Sequence, residues 1–233
     1  MELSGPLTYL FGGDKPWLEN TWVASDDRVR GGISQSYLQS SGTSGAVRFY
    51  GDLDITTLEG AGFASQRSPD PLRWDLSGYQ GLRLKVNESD GKKYALILKD
   101  QILPTLPDGR EQSTLSWEYD FTSQAAEFDI AFEDLKPTYR GSPQPDAEPL
   151  DLTDVKRISI MMRSFFGEQE GPFSLELQYI AATISVNESI PTSSYSQPEA
   201  GNSDSSSNSE KRENRATDGS WFQYLRGFFK RGP

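Results

Sequence analysis

The 233-residue chain contains no cysteine and no histidine. Without cysteine it forms no disulfide, no thiolate nucleophile and no zinc site of the Cys/His kind. Without histidine it has neither a Ser-His-Asp triad nor a histidine general base. We therefore predict that the protein is not an enzyme and that it carries no metal and no cofactor.

Long apolar runs are also missing. The longest, YALIL at 94–98, is far shorter than the roughly 20 residues that a membrane-spanning helix needs. The first residues, MELSGPLTYLFGGD, lack the basic and apolar regions of a secretory signal and the arginine-rich character of a mitochondrial transit peptide. On these grounds we predict a cytoplasmic location.

The charge is predominantly negative and unevenly distributed. The chain has 34 acidic and 23 basic residues, a net charge of −11. Residues 187–233 contain six of each sign, so residues 1–186 hold the whole excess of negative charge. Nucleic-acid affinity comes mainly from neutralising phosphates with lysine and arginine. We therefore predict no nucleic-acid partner.

The body of the chain has the period-two pattern of half-buried strands. In GLRLKV (81–86) the apolar residues alternate with Arg83 and Lys85, and LSWEYDF (115–121) alternates in the same way. Many short strands between Gly-, Pro- and Ser-rich loops are typical of an antiparallel β-sandwich or jelly roll. The predicted strands are 7–11, 21–24, 33–38, 46–51, 61–66, 81–86, 93–99, 115–121, 127–132, 157–163 and 174–179.

Beyond residue 186 the composition changes. Residues 187–220 are rich in Ser, Asn and Glu and have few large apolar residues, which predicts a disordered linker. Residues 221–233 are aromatic and basic, and they are interpreted either as a docking segment for a partner groove or membrane surface, or as an end that folds back onto the body. The docking residues of this segment are Trp221, Phe222, Leu225, Phe228 and Phe229.

The stretch Asp26-Asp27-Arg28-Val29-Arg30-Gly31-Gly32 crowds charge beside two glycines. It lacks the ligand spacing of a calcium loop and the Gly-Lys-Ser/Thr ending of a phosphate loop. Adjacent side chains on an extended segment point to opposite faces, so the two carboxylates are not expected to converge. We predict a turn in which both glycines adopt positive φ and the aspartates accept backbone N–H bonds or pair with nearby arginines. A role in binding a partner or ligand is the alternative.

Arg67, Arg140 and Arg163 each follow an apolar strand or lie in a turn. In a sandwich these arginines are able to gather at one rim, although ordinary solvated charge is an equally simple interpretation. The carboxylate pairs of the chain do not single out a glycosidase site, which needs two carboxyl groups across a cleft. Aromatic residues suggest a sugar-stacking platform as an alternative, but most are expected in the core. These aromatic residues are Trp17, Trp22, Trp74, Trp117 and Tyr139.

An ordered series of short motifs runs through residues 7–186. The series resembles the complex I intermediate-associated protein 30 family. Its pieces are W-x-x-x-D-D-x-V-x-G-G-x-S (22–34), F-Y-G-D-L (49–53), G-F-A-S-x-R (62–67), Y-x-G-L-R-L-x-V (79–86), L-S-W-x-Y-x-F (115–121), F-x-x-L-x-P-T-Y-R-G (132–141) and G-P-F-x-L-E-L-x-Y-I (171–180).

The resemblance implies a galactose-binding-like jelly roll over residues 1–186. It also implies a non-enzymatic assembly factor or chaperone-like scaffold, similar to the assembly factors of respiratory complex I, that binds unfolded or partly assembled protein clients. A cytosolic paralogue with other clients is the alternative within this family. The resemblance offers a mitochondrial location as the alternative, and a carbohydrate-binding module is the second functional hypothesis. Arg30 departs from the family pattern, which usually has methionine there. The expected contact rim comprises Asp26, Asp27, Arg28, Arg30, Gly31, Gly32, Ser34, Arg67, Arg140 and Gly141.

Overall fold

The computed structural model describes residues 6–43, 45–69, 72–107, 110–122, 124 and 126–184. These residues form two antiparallel sheets packed face to face, so the predicted all-β jelly-roll sandwich is confirmed. The linker and docking segment predicted for 187–233 lie outside the described residues. No helix in the described ranges is long and apolar enough to cross a membrane.

Sheet A has six strands. Five of them follow the order β3-β4-β13-β6-β9, and the sixth, β1, pairs with β13 outside this order. The long strand β13 is therefore the centre of this sheet, with β4, β6 and β1 as direct neighbours. The strands are β1 (Leu7–Gly12), β3 (Gln35–Ser40), β4 (Val47–Leu53), β6 (Gly81–Ser89), β9 (Glu127–Ala131) and β13 (Gly171–Thr183).

Sheet B has seven strands in the order β11-β10-β8-β7-β12-β5-β2. Three 3₁₀ turns, Glu19–Thr21, Asp27–Arg30 and Phe132–Asp134, lie in the connections between strands. The strands are β2 (Val23–Ala24), β5 (Phe63–Arg67), β7 (Lys93–Lys99), β8 (Ser116–Thr122), β10 (Lys136–Tyr139), β11 (Ser142–Pro143) and β12 (Arg157–Arg163).

The core lies between the two inner faces because alternate residues of each strand point inward. On β12, Ile158, Ile160 and Met162 are buried, while Arg157 and Arg163 lie on the outer face. The fully buried side chains with the largest volumes are Tyr94, Phe49, Leu53, Leu76, Leu82, Leu84, Leu96, Leu98, Ile130, Ile158, Ile160 and Met162.

Two strands were not predicted. Strands β10 and β11 lie in the sequence KPTYRGSP, where two prolines conceal the extended pattern. Pro137 is tolerated because β10 lies next to the last strand of the sheet, and β10 pairs with the outermost strand β11 through only two residue pairs. The predicted strand 21–24 is shortened to Val23–Ala24, since a 3₁₀ turn occupies Glu19–Thr21.

Candidate functional site

Asp26 joins the two sheets through its carboxylate. It accepts the backbone N–H of Ser36, on β3 of sheet A, at 3.2 Å and that of Ser65, on β5 of sheet B, at 3.0 Å. The Ser36 hydroxyl donates a third bond at 2.6 Å, and Arg28 lies 3.4 Å away as an exposed ion-pair partner. A buried carboxylate is stable only when hydrogen bonds replace its lost water, and Asp26 meets this condition.

Asp27 repeats the same arrangement one residue further on. Its Oδ1 accepts the backbone N–H of Ser34 at 3.1 Å, and its Oδ2 accepts the Ser34 hydroxyl at 2.7 Å and the backbone N–H of Phe63 at 3.1 Å. The Ser34 hydroxyl oxygen in turn accepts the N–H of Asp54 at 3.0 Å. The two aspartates therefore form a double clamp along the seam between β3 and β5.

The expectation that Asp26 and Asp27 diverge is wrong. Asp26 has extended geometry, with φ −92° and ψ 168°, but the 3₁₀ turn begins at the next residue. The change of backbone geometry between them directs both carboxylates into one seam. The predicted hydrogen bonds from backbone N–H groups to the two aspartates are present. Their donors lie in strands β3 and β5 or just before β3, and not in the turn itself.

The two glycines that follow the clamp have different roles. Gly31 has φ +85°, which confirms the predicted positive φ, and it ends the 3₁₀ turn. The prediction of a positive φ for Gly32 is wrong. Glycine is needed at this position because a side chain would not fit beside Asp27. A Cβ atom at Gly32 would lie 2.3 Å from Oδ1 of Asp27, and only glycine lets the chain pass so close to that carboxylate.

The turn held by the clamp exposes apolar side chains. Val29, within the 3₁₀ turn, is 71% exposed, and Ile33, directly after Gly32, is 64% exposed. Leu18, Val23 and Tyr37 in neighbouring segments are exposed as well. We call Val29 and Ile33 the apolar tip. Arg28 and Arg30, which flank Val29 in the chain, add positive charge to the same turn.

Part of the predicted arginine rim lies on the outer face of sheet B. Arg30 places its guanidinium 5.4 Å from the ring centre of Phe63, and Arg163 lies directly across from Phe63 in the ladder between β12 and β5. Arg163 donates to Glu118 at 2.7 Å and also contacts Asp120. Burial lowers the pKa of Arg163, but these two carboxylates outweigh it and the pKa is raised.

Arg140 and Gly141 form the two-residue turn between β10 and β11. Their φ values are +52° and +77°, as a type I′ hairpin turn requires. Arg140 donates from Nε to the Ser113 hydroxyl at 3.0 Å. The pKa of Arg30 is lowered, first by burial and then by the positive charge of Arg140.

Arg67 faces a different set of groups on the same outer face. Its Nη2 lies 2.8 Å from the carboxylate of Glu111, which also binds Arg157 at 2.8 Å. Lys99 is next to this set, and burial, followed by the charge of Arg157, lowers its pKa to about 8. The sequence analysis had not included Lys99, Glu111 or Arg157. The strand register pairs Arg157 with Lys99, and the connection between β7 and β8 brings Glu111 to the two arginines.

The aromatic residues are divided between the core and the surface. Trp117 is buried, as predicted, and Trp17 and Trp22 are buried too. On the surface of sheet A, the exposed Tyr37 and the half-buried Tyr50 form a cross-strand stacked pair with ring centroids 5.3 Å apart. Tyr139 is exposed near Arg140.

A buried ion pair on sheet A was missed by the sequence analysis. Arg83 donates to Asp129 at 2.6 and 2.8 Å, and both side chains are almost completely buried. In the sequence each of the two residues simply alternates with apolar neighbours, and only the register Arg83↔Asp129 reveals the pair. In the described ranges, no group of three or more acidic residues is placed to hold a metal ion.

Comparison with known proteins identifies relatives of the chain. A family model described as complex I intermediate-associated protein 30 matches residues 11–177. "Uncharacterized protein C9E9.15" of Schizosaccharomyces pombe is 43% identical over 185 residues, which is 76% of this chain and 84% of the relative.

The similar solved structures include carbohydrate-binding modules. The family 11 module of the cellulosomal cellulase Lic26A-Cel5E of Clostridium thermocellum has a TM-score of 0.53 at 12% identity, covering 80% of this chain and 99% of that module. A family 11 module of that organism in complex with a β-1,3-1,4-mixed-linked tetrasaccharide has a TM-score of 0.53 at 13% identity, covering 79% and 99%. At this identity the likeness concerns the fold alone.

Proposed function

The chain belongs to the complex I intermediate-associated protein 30 family, and from this membership we propose that it is a non-enzymatic module that binds assembly intermediates of a multisubunit complex. The family suggests a role related to complex I assembly and an association with mitochondria. The clients are partly assembled proteins, which expose apolar surface that is buried later.

The apolar tip is the observation that supports this proposal. Val29 and Ile33 are both largely exposed to water and lie only four positions apart in the chain, on either side of Gly31 and Gly32. The protein holds them firmly, because the double clamp of Asp26 and Asp27 fixes both ends of the turn. A preformed apolar surface loses little conformational entropy on binding, which favours affinity. The arginines of the expected contact rim provide positive charge for acidic groups that a client places around the apolar tip.

The test is a Val29→Ser/Ile33→Ser double variant, compared by proximity labelling in cells with the wild type. We expect unchanged thermal stability, because both side chains are exposed, and a loss of about 10- to 30-fold in labelling of complex I intermediates, the effect of roughly 2 kcal/mol of apolar contact. Leu106→Ser/Ile184→Ser removes exposed apolar residues elsewhere and serves as the control. Equal labelling by wild type and tip variant contradicts the proposal.

Residues 187–233 are proposed as a linker (187–220) followed by a docking segment (221–233) that contacts a membrane surface or the client. Their composition supports this division. A chain truncated after residue 186 is included in the same labelling experiment. If it labels the same proteins and has the same membrane partition as the full chain, the docking segment has no such role.

Carbohydrate binding is the second candidate, supported by the stacked pair of the exposed Tyr37 and the half-buried Tyr50. Arg48 lies 4.4 Å from the ring centre of Tyr50, and Gln39 accepts the Tyr50 hydroxyl proton at 2.7 Å. An aromatic surface beside polar groups suits a sugar ring. On a glycan array we expect Tyr50→Ala to lose any signal that the wild type gives, and a silent wild type removes this candidate.

A further inference from the structure

The two sheets meet along a seam at which each presents an outermost strand. Among the described strands, β3 has only β4 as a neighbour in sheet A, and β2 has only β5 in sheet B. An outermost strand leaves the N–H and C=O groups of one edge without a ladder partner. Such an edge pairs with other chains unless the protein protects it.

The double clamp protects one end of the β3 edge. Ser36 donates its N–H to Asp26, and its C=O accepts a bond from Nε2 of Gln66 at 3.0 Å. Both partners lie across the seam, so the backbone groups of Ser36 point away from β4. Residues two apart in a strand direct these groups to the same side. Leu38 therefore also directs its N–H and C=O into the seam, beyond the reach of the clamp.

The edge of β2 faces the same seam. Ser25 donates its N–H to the carbonyl oxygen of Ser65 on β5 at 2.7 Å. Neighbouring residues of a strand direct their backbone groups to opposite sides, so Ala24 directs its N–H and C=O away from β5. Ala24 and Leu38 line one cavity of about 260 Å³. In the described part of the chain, no strand pairs with the outward side of either residue.

The walls of this cavity suit a polypeptide better than a charged ligand. Glu19 and Arg28 contribute one charge of each sign, and the other lining residues are uncharged. Tyr37 in the lining is 40% exposed, and Val23, next to Ala24 on β2, is 41% exposed. The seam thus offers backbone donors and acceptors beside exposed apolar surface, and an extended peptide segment needs both.

We propose that the seam binds an extended segment of a client, which adds as a strand to the edge of β3 at Leu38. Main-chain hydrogen bonds to Leu38 supply affinity, and apolar side chains of the segment pack against Tyr37 and Val23. Partly assembled proteins expose unpaired strands as well as apolar surface. The site is separate from the apolar tip, and it rests on the proposed function only in that a client supplies the segment.

The probe is a short peptide of alternating threonine and valine, blocked at both ends. Its control has the same side chains but carries N-methyl groups on the central residues, which removes the backbone donors of both edges. Calorimetry with the full chain measures both affinities. We expect saturable binding of the probe with a dissociation constant below about 1 mM, and binding of the N-methylated peptide at least about tenfold weaker.

Hydrogen exchange followed by NMR locates the peptide on the wild-type protein. Saturating peptide should slow the exchange of the Leu38 amide at least about tenfold, because this N–H gains a ladder bond. The amides of Tyr37 and Gln39 already face β4, so they serve as internal controls whose exchange stays unchanged. The side chain of Leu38 is buried in the core, which is why this readout replaces a substitution at that position.

Ala24→Pro tests the opposite wall of the cavity. Ala24 is exposed, and an outermost strand tolerates proline where the N–H points away from the sheet, so we expect a melting temperature close to that of the wild type. The proline ring projects from the backbone nitrogen into the cavity, and peptide affinity should fall at least about tenfold. Ala24→Ser keeps the N–H, and as the matched control it should bind like the wild type.

Three results overturn the proposal: no saturable binding of the probe, equal binding of the N-methylated peptide, or unchanged exchange at Leu38. Equal affinities of Ala24→Pro and Ala24→Ser contradict it as well. If the Leu38 amide is already protected in the free protein, the edge is occupied by a second copy in a dimer, or by residues 187–233 in a monomer, and the client assignment is wrong. Failure here leaves the apolar tip experiment intact, because Val29→Ser/Ile33→Ser changes no backbone group of the seam.

Discussion

The substitution Asp27→Asn tests the double clamp with almost no change of volume. The Asp27 carboxylate accepts three hydrogen bonds, from the backbone N–H and the hydroxyl of Ser34 and from the backbone N–H of Phe63. Asparagine has a single side-chain oxygen and an NH₂ group that only donates. Whichever way the amide is flipped, its NH₂ group faces one of the two backbone N–H donors.

The expected cost follows from this mismatch. One bond to a charged acceptor is lost, and a buried N–H is left unsatisfied, which together amount to about 2–4 kcal/mol. Since Asp27 is completely buried, water does not replace the bond. For a domain of this size the melting temperature should fall by roughly 5–15 °C.

Urea unfolding followed by tryptophan fluorescence gives the measurement, with thermal unfolding as a second probe. Asp14→Asn, at an exposed position, changes the net charge equally and is expected to stay within about 0.5 kcal/mol of the wild type. If Asp27→Asn is as stable as Asp14→Asn, the carboxylate does not hold the sheets together and the role assigned to the clamp is refuted.

Two further predictions concern stability. Gly32→Ala should lower the free energy of unfolding by about 3 kcal/mol, because the added Cβ meets the Asp27 carboxylate. Gly31→Ala should lower it by only about 1 kcal/mol, because the positive φ is its only cost. Urea unfolding of both variants measures the difference. Lys99 has a pKa of about 8 against 10.5 when unfolded. Between these values the unfolded chain holds more protons, so stability rises with pH, by at most about 3 kcal/mol. The free energy of unfolding of Lys99→Met should not rise in this pH range. If the wild type and Lys99→Met show parallel profiles of stability against pH, the prediction is wrong.

The strands were predictable because their signal is local. Inward and outward residues alternate within each strand, and most predicted strands lie within two residues of the observed ones. Strand β10 was not predicted because Pro137 interrupts the alternation of apolar and polar residues. Its pairing with Trp117 and Glu118 of β8 depends on tertiary structure, which a single sequence does not contain.

The site was predictable only in part. The motif containing Asp27, Gly31 and Ser34 indicated a structured turn, and positive φ at Gly31 followed from residue type. The direction of the carboxylates did not follow, because it depends on the exact residue at which the 3₁₀ turn begins. The pairing of Arg157 with Lys99 was not predictable for another reason. It depends on the register between Arg157 and Lys99, more than 50 positions apart in the sequence.

The position of β13 has a consequence for how the chain folds as it is synthesised. This strand is the last of the described strands, yet it lies between β4 and β6 and also pairs with β1. A ribosome releases the chain from the N-terminus, so these three strands emerge long before their shared neighbour. Sheet A therefore closes only once Gly171–Thr183 has left the exit tunnel, and the earlier strands with their open edges depend on protection until then.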